Sequence, residues 1–185
     1  MRPSEFVLDI IDKYIGDEKL KKLLITHSGC VARKALALAE NNGLVKDIDT
    51  QFLVDAAFLH DIGVVECDAP SIFCYGKRPY LQHGLAGAEI IRKEGLDSRL
   101  AAVCENHIGC GLTASDIEKG SLPLPSRNFI PGSLEEKLIC FADNFFSKSK
   151  NPEREKSIEE VDKSMKRFGP DVYARFLELK KFFSS

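Results

Sequence analysis

Apolar positions recur along almost the whole chain at the three-to-four-residue spacing of amphipathic helices. One clear stripe consists of Val31, Ala35, Leu38 and Ala39, and no alternating strand pattern competes with it. We therefore predict one all-α domain over residues 1–185. The predicted helices lie in 5–15, 18–41 (one or two helices), 50–62, 83–94, 97–108, a short stretch opening at 113–116, a stretch opening at 133–136, and 152–183 with a break at Gly169-Pro170.

Local capping signals set several of these boundaries. Thr113 to Asp116 and Ser133 to Glu136 match the pattern in which a hydroxyl residue is followed three positions later by an acid. Pro152 is expected in the first turn of the C-terminal helices, where proline is favoured. Glycines and prolines predict loops over 64–82 and 120–132. A loop as long as 64–82 inside a compact domain is often functional.

Composition narrows the class of protein. The 185 residues are 44% hydrophobic and 29% charged, with a formal net charge of -2, which is ordinary for a soluble globular protein and unlike a disordered chain. No basic surplus is present to bind a nucleic-acid backbone by charge. The N-terminal segment lacks a signal-peptide core, and no apolar run approaches the roughly 20 residues of a membrane span. We expect a cytoplasmic protein with neither a nucleic-acid nor a membrane partner.

The six cysteines do not suggest a thiolate metal site or a redox pair. No two of them form a C-x-x-C pattern. Because we expect a cytoplasmic protein, we expect reduced thiols rather than disulfides. Cys104 and Cys140 lie in apolar helical patterns, where cysteine behaves as a small hydrophobic residue.

Polar groups in apolar surroundings are the candidate chemistry. His60 and Asp61 end the most apolar predicted helix, and Asp143 is the lone acid in the segment LICFADNFF. An ionised carboxylate is costly to bury unless it is paired or bound to a metal. Imidazole and carboxylate together suit zinc, iron, manganese, nickel or cobalt. Periodicity directs these groups inward but leaves open whether they meet, and each histidine alone could be a core imidazole bonded to a carbonyl. The remaining histidines are His27, His83 and His107.

The order of these residues resembles the HD-domain superfamily of all-α, metal-dependent phosphohydrolases. The string His60-Asp61-Ile62-Gly63 matches the form found in its HDIG subfamily. The resemblance covers about 22–148, with 152–183 as a C-terminal helical extension. The strings HGLAGAEIIRKEGL, ENHIGCGLT and LEEKLICFADNFFSK resemble an uncharacterised HDIG group and, more distantly, the bacterial symmetrical dinucleoside-tetraphosphate hydrolases.

This resemblance implies a divalent transition-metal centre with two ions. Asp61 would bridge the ions, and Asp61, His83 and His107 would form the catalytic centre. Two ions can hold the attacking and leaving oxygens of a phosphoryl transfer and can activate a water. Carried over by position, the metal ligands are His27, His60, Asp61, His83, His107 and Asp143.

One departure from the resemblance concerns substrate charge. Many relatives follow HDIG with Lys or Arg, whereas this chain has Val64. Our candidates for phosphate contacts are Lys77 and Arg78 in the loop before His83, which we prefer, and Arg127 in the later loop. A solvated surface charge is the simpler interpretation of each. Glu66 and Asp68 are candidate general acids, and a nucleotide base could stack on an aromatic residue of the 64–82 loop. These aromatic residues are Phe73, Tyr75 and Tyr80.

Three functions remain open at the level of sequence. The first is hydrolysis of a small phosphate ester, such as a nucleotide, by a metal-activated water. The second is a di-iron oxygenase with the same ligands, and the third is a non-catalytic module that binds metal or nucleotide. The amphipathic C-terminal helices could cover the core of the chain or a second subunit, which leaves a homodimer open.

Overall fold

The protein is described by a computed structural model over residues 2–148 and 151–183, and it is built almost wholly from helices. The α-helices are α1 (Glu5–Tyr14), α2 (Glu18–Asn41), α3 (Thr50–Leu59), α4 (His83–Lys93), α5 (Ser98–Asn106), α6 (Ala114–Gly120), α7 (Leu134–Asp143), α8 (Ile158–Met165) and α9 (Pro170–Phe182). Short 3-10 turns cover Val45–Asp47, Ile62–Glu66, Pro70–Ile72, Tyr80–Gln82 and Lys166–Phe168. The all-α prediction is confirmed.

The loop predicted over 64–82 contains a small hairpin that the sequence pattern did not indicate. Its strands, β1 (Asp68–Ala69) and β2 (Cys74–Tyr75), pair antiparallel, with Asp68 opposite Tyr75 and Ala69 opposite Cys74. Strands of two residues are too short to show a detectable alternation of apolar and polar positions.

The expected start of the C-terminal helices is wrong. Pro152 does not begin a helix, because α8 starts at Ile158, where Ser157 and Glu160 form a reciprocal capping box. The side chain of Ser157 satisfies the free backbone amide of Glu160, and Glu160 in turn accepts from the amide of Ser157. The two capping signals predicted from sequence, at Thr113 and Ser133, are both confirmed.

One continuous apolar core joins the bundle and the C-terminal extension. It runs from Val7 on α1 through α2, α3, α5 and α7 to Val161, Met165 and Phe176 of the extension. Helix α2 packs against α3 and α7, while α4 packs against α5 and the turn Ile62–Glu66. Helices α8 and α9 therefore bury part of their apolar surface within this chain, while Leu177 and Phe182 of α9 stay exposed.

The turn after α3 approaches α4 so closely that only glycine fits at position 63. A Cβ atom on Gly63 would lie 2.1 Å from both the backbone N of Gly87 and the backbone O of His83. The sequence pattern predicted a helix to residue 62, but α3 ends at Leu59. The chain then tightens into the 3-10 turn Ile62–Glu66. This contact fixes the segment that carries Asp61 beside the start of α4.

All six cysteines are free and buried. Burial raises the pKa of the Cys67 thiol to about 11 and that of the Cys74 thiol to about 12, so both are protonated near neutral pH. Within the described residues, none of the helices has the length and apolar character needed to cross a membrane.

Candidate metal centre

Six predicted ligands come together from five helices, mostly at helix ends. His27 lies within α2, His60 follows the last residue of α3, and His83 is the first residue of α4. His107 follows α5, and Asp143 is the last residue of α7. We call this set, with Asp61, the ligand cluster. Its histidines and Asp61 are buried to 5% exposure or less, and the Asp143 side chain is 18% exposed.

Asp61 divides the ligand cluster into two groups. Its Oδ2 atom lies 3.3 Å from His27 Nε2 and 3.0 Å from His60 Nε2. Asp143 completes this first group, with Oδ1 2.9 Å from His27 Nε2 and 3.6 Å from His60 Nε2. The four residues offer ligand atoms that all lie within 4.8 Å of one another.

The second group lies on the other oxygen of the same carboxylate. Asp61 Oδ1 is 3.4 Å from His83 Nε2 and 3.6 Å from His107 Nε2. The two imidazole Nε2 atoms are 3.0 Å apart. One carboxylate thus presents one oxygen to each group of histidines, as a bridging ligand would.

Backbone carbonyls hold three of the rings with Nε2 directed into the cluster. His60 Nδ1 lies 2.6 Å from the carbonyl of Ala57, and His83 Nδ1 lies 2.7 Å from that of Tyr80. His107 Nδ1 lies 2.8 Å from the carbonyl of Cys104. Because a carbonyl can only accept, each Nδ1 carries the proton, and in the neutral ring Nε2 has its lone pair free to bind a metal.

The hydrogen-bonding balance of the cluster fits a cation. Several buried atoms of the cluster form no well-oriented hydrogen bond among the described residues, although Lys148 Nζ lies 2.7 Å from one of them, Asp61 Oδ2. These atoms are His27 Nε2, His60 Nε2, both Asp61 oxygens and Asp143 Oδ1. Buried polar atoms without hydrogen bonds are costly. Two donors bound about 2.1 Å from one ion lie roughly 3.0 to 3.4 Å apart at octahedral or tetrahedral angles. The observed spacings of 2.9 to 3.6 Å span this range and are slightly wider at both ends.

The ionised carboxylates of the cluster also favour binding of a positive ion. Burial opposes the charged form of His60, but the Asp61 and Asp143 carboxylates outweigh it and raise its pKa to about 10. Burial lowers the pKa of His83 to about 3, although Asp61 opposes the shift. Burial alone would raise the pKa of Asp61, yet the charges of His60 and Lys148 hold it well below its usual range. Without a bound ion, the cluster at neutral pH therefore contains ionised carboxylates, a protonated His60 and a neutral His83.

Two residues of the site were not predicted in these roles. Lys148 Nζ lies 2.7 Å from Asp61 Oδ2, and its side chain is 12% exposed. The Asp61 and Asp143 carboxylates keep Lys148 protonated, raising its pKa despite burial. Tyr80 stacks on the His83 ring, with centroids 4.8 Å apart. Lys148 places a cation at the cluster that Val64 does not provide.

The predicted phosphate contacts and general acids lie away from the cavity that adjoins His83. Arg78 forms a two-point ion pair with Glu89 on α4. Arg127 contacts Glu105 at 3.1 Å and covers the ring of Phe129. Lys77, Glu66 and Asp68 are exposed. None of these five lines the cavity that adjoins His83. Of the three loop aromatics, only Tyr80 lines that cavity, since Phe73 and Tyr75 border a different depression.

The protein is an all-α bundle whose histidines and aspartates surround one shared carboxylate. This places it in a class of helical proteins with a candidate two-ion centre. The chain belongs to the HD domain family, whose family model matches residues 24–148. The resemblance noted from the HDIG string is confirmed, over nearly the range expected.

Three curated relatives are similar to the chain in sequence, and their names differ. The chain is 32% identical over 178 residues to the tRNA (cytidine(56)-2'-O)-methyltransferase of Thermoplasma volcanium, covering 96% of this chain and 46% of that protein. A protein of the same name from Picrophilus torridus is 31% identical over 133 residues, covering 72% of the chain and 34% of that protein. An uncharacterized protein of Methanocaldococcus jannaschii is 31% identical over 153 residues, covering 80% of the chain and 81% of that protein.

The chain spans less than half the length of the two methyltransferases that it matches. The larger part of each methyltransferase lies outside the match, so the activity in their names does not by itself describe the shared region. No solved structure matches the chain.

Proposed function

We propose that the protein is a metal-dependent phosphohydrolase that acts on the phosphate ester of a small molecule, such as a nucleotide. The observation that carries the proposal is the position of Asp61, with one oxygen facing His27 and His60 and the other facing His83 and His107. His27, His60, Asp61 and Asp143 would hold one ion, and Asp61, His83 and His107 the other. The mixed nitrogen and oxygen donors suit iron, manganese, zinc, nickel or cobalt.

When bound, such ions would supply a water that loses its proton near neutral pH and can then attack phosphorus, together with positive charge for the phosphate oxygens. The residues of the chain provide the setting for this chemistry. The carbonyl contacts of His60, His83 and His107 fix the ring orientations before ligands arrive. Because the cluster is buried, charges within it are less screened than at the surface.

Lys148 supports an anionic substrate. It is a nearly buried ammonium group against Asp61, and two divalent ions would leave the combined site strongly positive, since it contains two carboxylates and one lysine. A phosphate would be attracted to such a centre, and Lys148 could donate hydrogen bonds to its oxygens. This argument favours phosphate chemistry over the di-iron oxygenase alternative, whose substrate need carry no such charge.

We assign no methyl transfer to this chain, because the larger part of each named methyltransferase lies outside the match. The non-catalytic alternative makes a distinct prediction, which is tight ligand binding with no turnover.

The test is metal content and phosphate release on the same preparation. The protein is stripped with a chelator, reloaded separately with manganese, cobalt, nickel, zinc or ferrous iron, and analysed for bound metal. Each form is then assayed against p-nitrophenyl phosphate and a panel of nucleotides. We expect about two bound ions per chain and release of phosphate with at least one metal. A fully loaded protein that releases no phosphate from any ester would contradict the proposal, and oxygen uptake by the iron form would replace it.

A matched pair of variants makes the test specific. Asp61→Asn keeps the shape of the side chain but removes its charge, and we expect loss of both ions and of turnover. Asp55→Asn removes the charge of another buried aspartate, whose oxygens accept from the backbone and hydroxyl of Ser4. Because Asp55 lies outside the ligand cluster, we expect that variant to keep its metal.

A further inference from the structure

A cavity of about 710 Å³ adjoins the second group of the ligand cluster. His83 belongs to both, since its ring lines the cavity while its Nε2 faces Asp61. The volume falls within the range of small-molecule sites in proteins. Most of the lining is apolar, and it includes Ile108, Leu112, Leu122, Phe168, Pro170 and Val172.

Four polar side chains in the cavity wall are already paired with the protein. Asp116 accepts from Arg175 at 2.6 Å and from the hydroxyl of Thr113 at 2.7 Å. Lys119 pairs with Asp171 at 3.1 Å. The amide nitrogen of Asn144 donates to the carbonyls of Gly109 and Cys140, both at 2.8 Å. Asp116 and the Asn144 amide nitrogen hold the wall together, whereas Lys119 and Asp171 are 68% and 56% exposed and pair at the surface. The cavity wall therefore offers few polar side chains to bond to sugar hydroxyls or to the edge of a base.

We infer that the cavity binds the organic part of the substrate and selects esters in which that part is large and apolar. This inference rests on the proposed hydrolase function. A phosphate at the ligand cluster would direct its ester group past His83 into the cavity. Hydroxyl and amide groups would lose their water there without gaining hydrogen bonds, at a cost in affinity. Alkyl and aryl groups would gain affinity in proportion to the apolar area that they bury.

The C-terminal extension supplies the selective wall. Phe168, Pro170 and Val172 all lie beyond residues 24–148, the part that matches the HD domain family. The Phe168 side chain is 62% exposed at the edge of the cavity. An exposed aromatic ring in this position can cover an apolar ligand without any change in the ligand cluster.

The test uses unbranched alkyl phosphates from ethyl to octyl, below their micelle concentrations, with the reloaded protein. Their leaving alcohols have similar acidity, so differences in kcat/KM report the contact made by the chain. We expect kcat/KM to rise by up to about fourfold for each methylene that is buried, and the longer esters to exceed nucleoside monophosphates. A flat series, or a preference for nucleotides, would overturn the inference while leaving the hydrolase proposal intact.

Two phenylalanines of the extension provide matched variants. Phe168→Ala should flatten the dependence on chain length, because it removes a ring that lines the cavity. Phe182→Ala removes another exposed ring, 48% exposed on α9, that does not line the cavity. We expect that variant to keep the slope of the unmodified protein. Equal slopes for all three proteins would contradict the assignment of Phe168 to the binding surface.

Binding separates this inference from the proposed function. Ethyl- to octylphosphonate resist hydrolysis and can be titrated into the metal-loaded protein by calorimetry. Affinity that increases with chain length, without hydrolysis of any ester, would support the cavity assignment and refute the hydrolase proposal. Phosphonate binding that is independent of chain length would refute the cavity assignment, whatever the protein hydrolyses.

Discussion

The two sides of Asp61 differ in charge and in access. The first group adds a second carboxylate, Asp143, to two histidines, and lies between α2, α3 and α7. The second group has two histidines and only one oxygen of Asp61, and its His83 borders the apolar cavity. An ion in the first group would be bound by two carboxylates, whereas an ion in the second would have fewer protein ligands and face the proposed substrate.

This difference suggests a division of roles within one site. More anionic ligands favour tighter binding of a divalent ion. Fewer protein ligands leave more coordination positions for water or substrate, as catalytic metal sites require. We therefore expect the first group to retain its ion more strongly and the second to be the one that exchanges.

The largest effect should come from disturbing the turn that joins both sides. Gly63→Ala would place a methyl group 2.1 Å from the backbone of α4, so α4 or the turn must shift. We expect a loss of about 3 kcal/mol or more in the free energy of unfolding, measured by urea denaturation. Metal should be lost from both groups, because Asp61 and His83 flank this contact.

Gly16→Ala is the matched control for that change. A Cβ atom on Gly16 meets nothing within 4 Å, so alanine should leave the unfolding free energy within about 1 kcal/mol of the original value. If Gly63→Ala were as stable as Gly16→Ala, the close packing of the turn against α4 would not be what aligns the two groups.

Single-ligand variants test the expected order of affinity directly. Asp143→Asn should weaken binding in the first group by at least about 100-fold, because removing a ligand should cost more than the 10- to 100-fold loss typical of second-shell partners. His107→Gln should instead remove the ion of the second group and leave about one ion per chain. Metal titration after chelation measures both. Loss of the same single ion in both variants would argue against two separate groups.

The ligand cluster could be predicted from sequence because it breaks the apolar pattern. His60, Asp61 and Asp143 stand out as polar residues in segments that must be buried, and the resemblance supplied the remaining histidines. Lys148 could not be found in this way. It lies in a stretch with Lys150, Arg154 and Lys156 that reads as a solvated surface, and only the fold directs its side chain toward Asp61.

The cavity was also hidden from sequence reasoning, for a different reason. Its lining comes from separate stretches near residues 80, 110, 120 and 170. Each apolar residue in these stretches is equally compatible with the core, so periodicity cannot distinguish side chains that pack against others from side chains that line a cavity.

The start of α8 could have been predicted from the sequence, since Ser157 and Glu160 have the spacing of a capping box, but Pro152 offered a competing signal.

Lys148 should affect substrate binding more than metal content. Lys148→Met keeps much of the length of the side chain and removes the charge, and we expect kcat/KM for phosphate esters to fall by about 10- to 100-fold. Bound metal should remain near two ions per chain, because lysine is not among the ligands. Lys156→Met is a suitable comparison, since Lys156 donates to the carbonyls of Asn144 and Phe146 and not to Asp61. An equal loss in both variants would indicate that the loop, and not the charge of Lys148, matters.

The smallest effect concerns the wall of the cavity beside the second group. Arg175 on α9 donates to Asp116 and also to the carbonyl of Gly111, so Asp116→Asn should leave part of this link intact. Burial alone would raise the pKa of Asp116, but hydrogen bonds from Thr113 and the charge of Arg175 lower it overall.

A folded-state pKa below the unfolded value of about 3.9 means that the ionised carboxylate stabilises the fold above that pH. This contribution is lost as the pH falls through the folded-state pKa. We therefore expect Asp116→Asn to be about 1 kcal/mol less stable at pH 7, with the difference shrinking below pH 4. Urea denaturation of the chelated proteins from pH 7 to pH 3 measures this difference in stability.

Asp171→Asn is the control. It affects an exposed ion pair with Lys119 and should change stability little. A constant difference between Asp116→Asn and the unmodified protein across this range would show that the side chain acts through packing and not through its charge. Unchanged metal content in Asp116→Asn, together with a weaker dependence on ester chain length, would place the cavity wall on the substrate side of the second group alone.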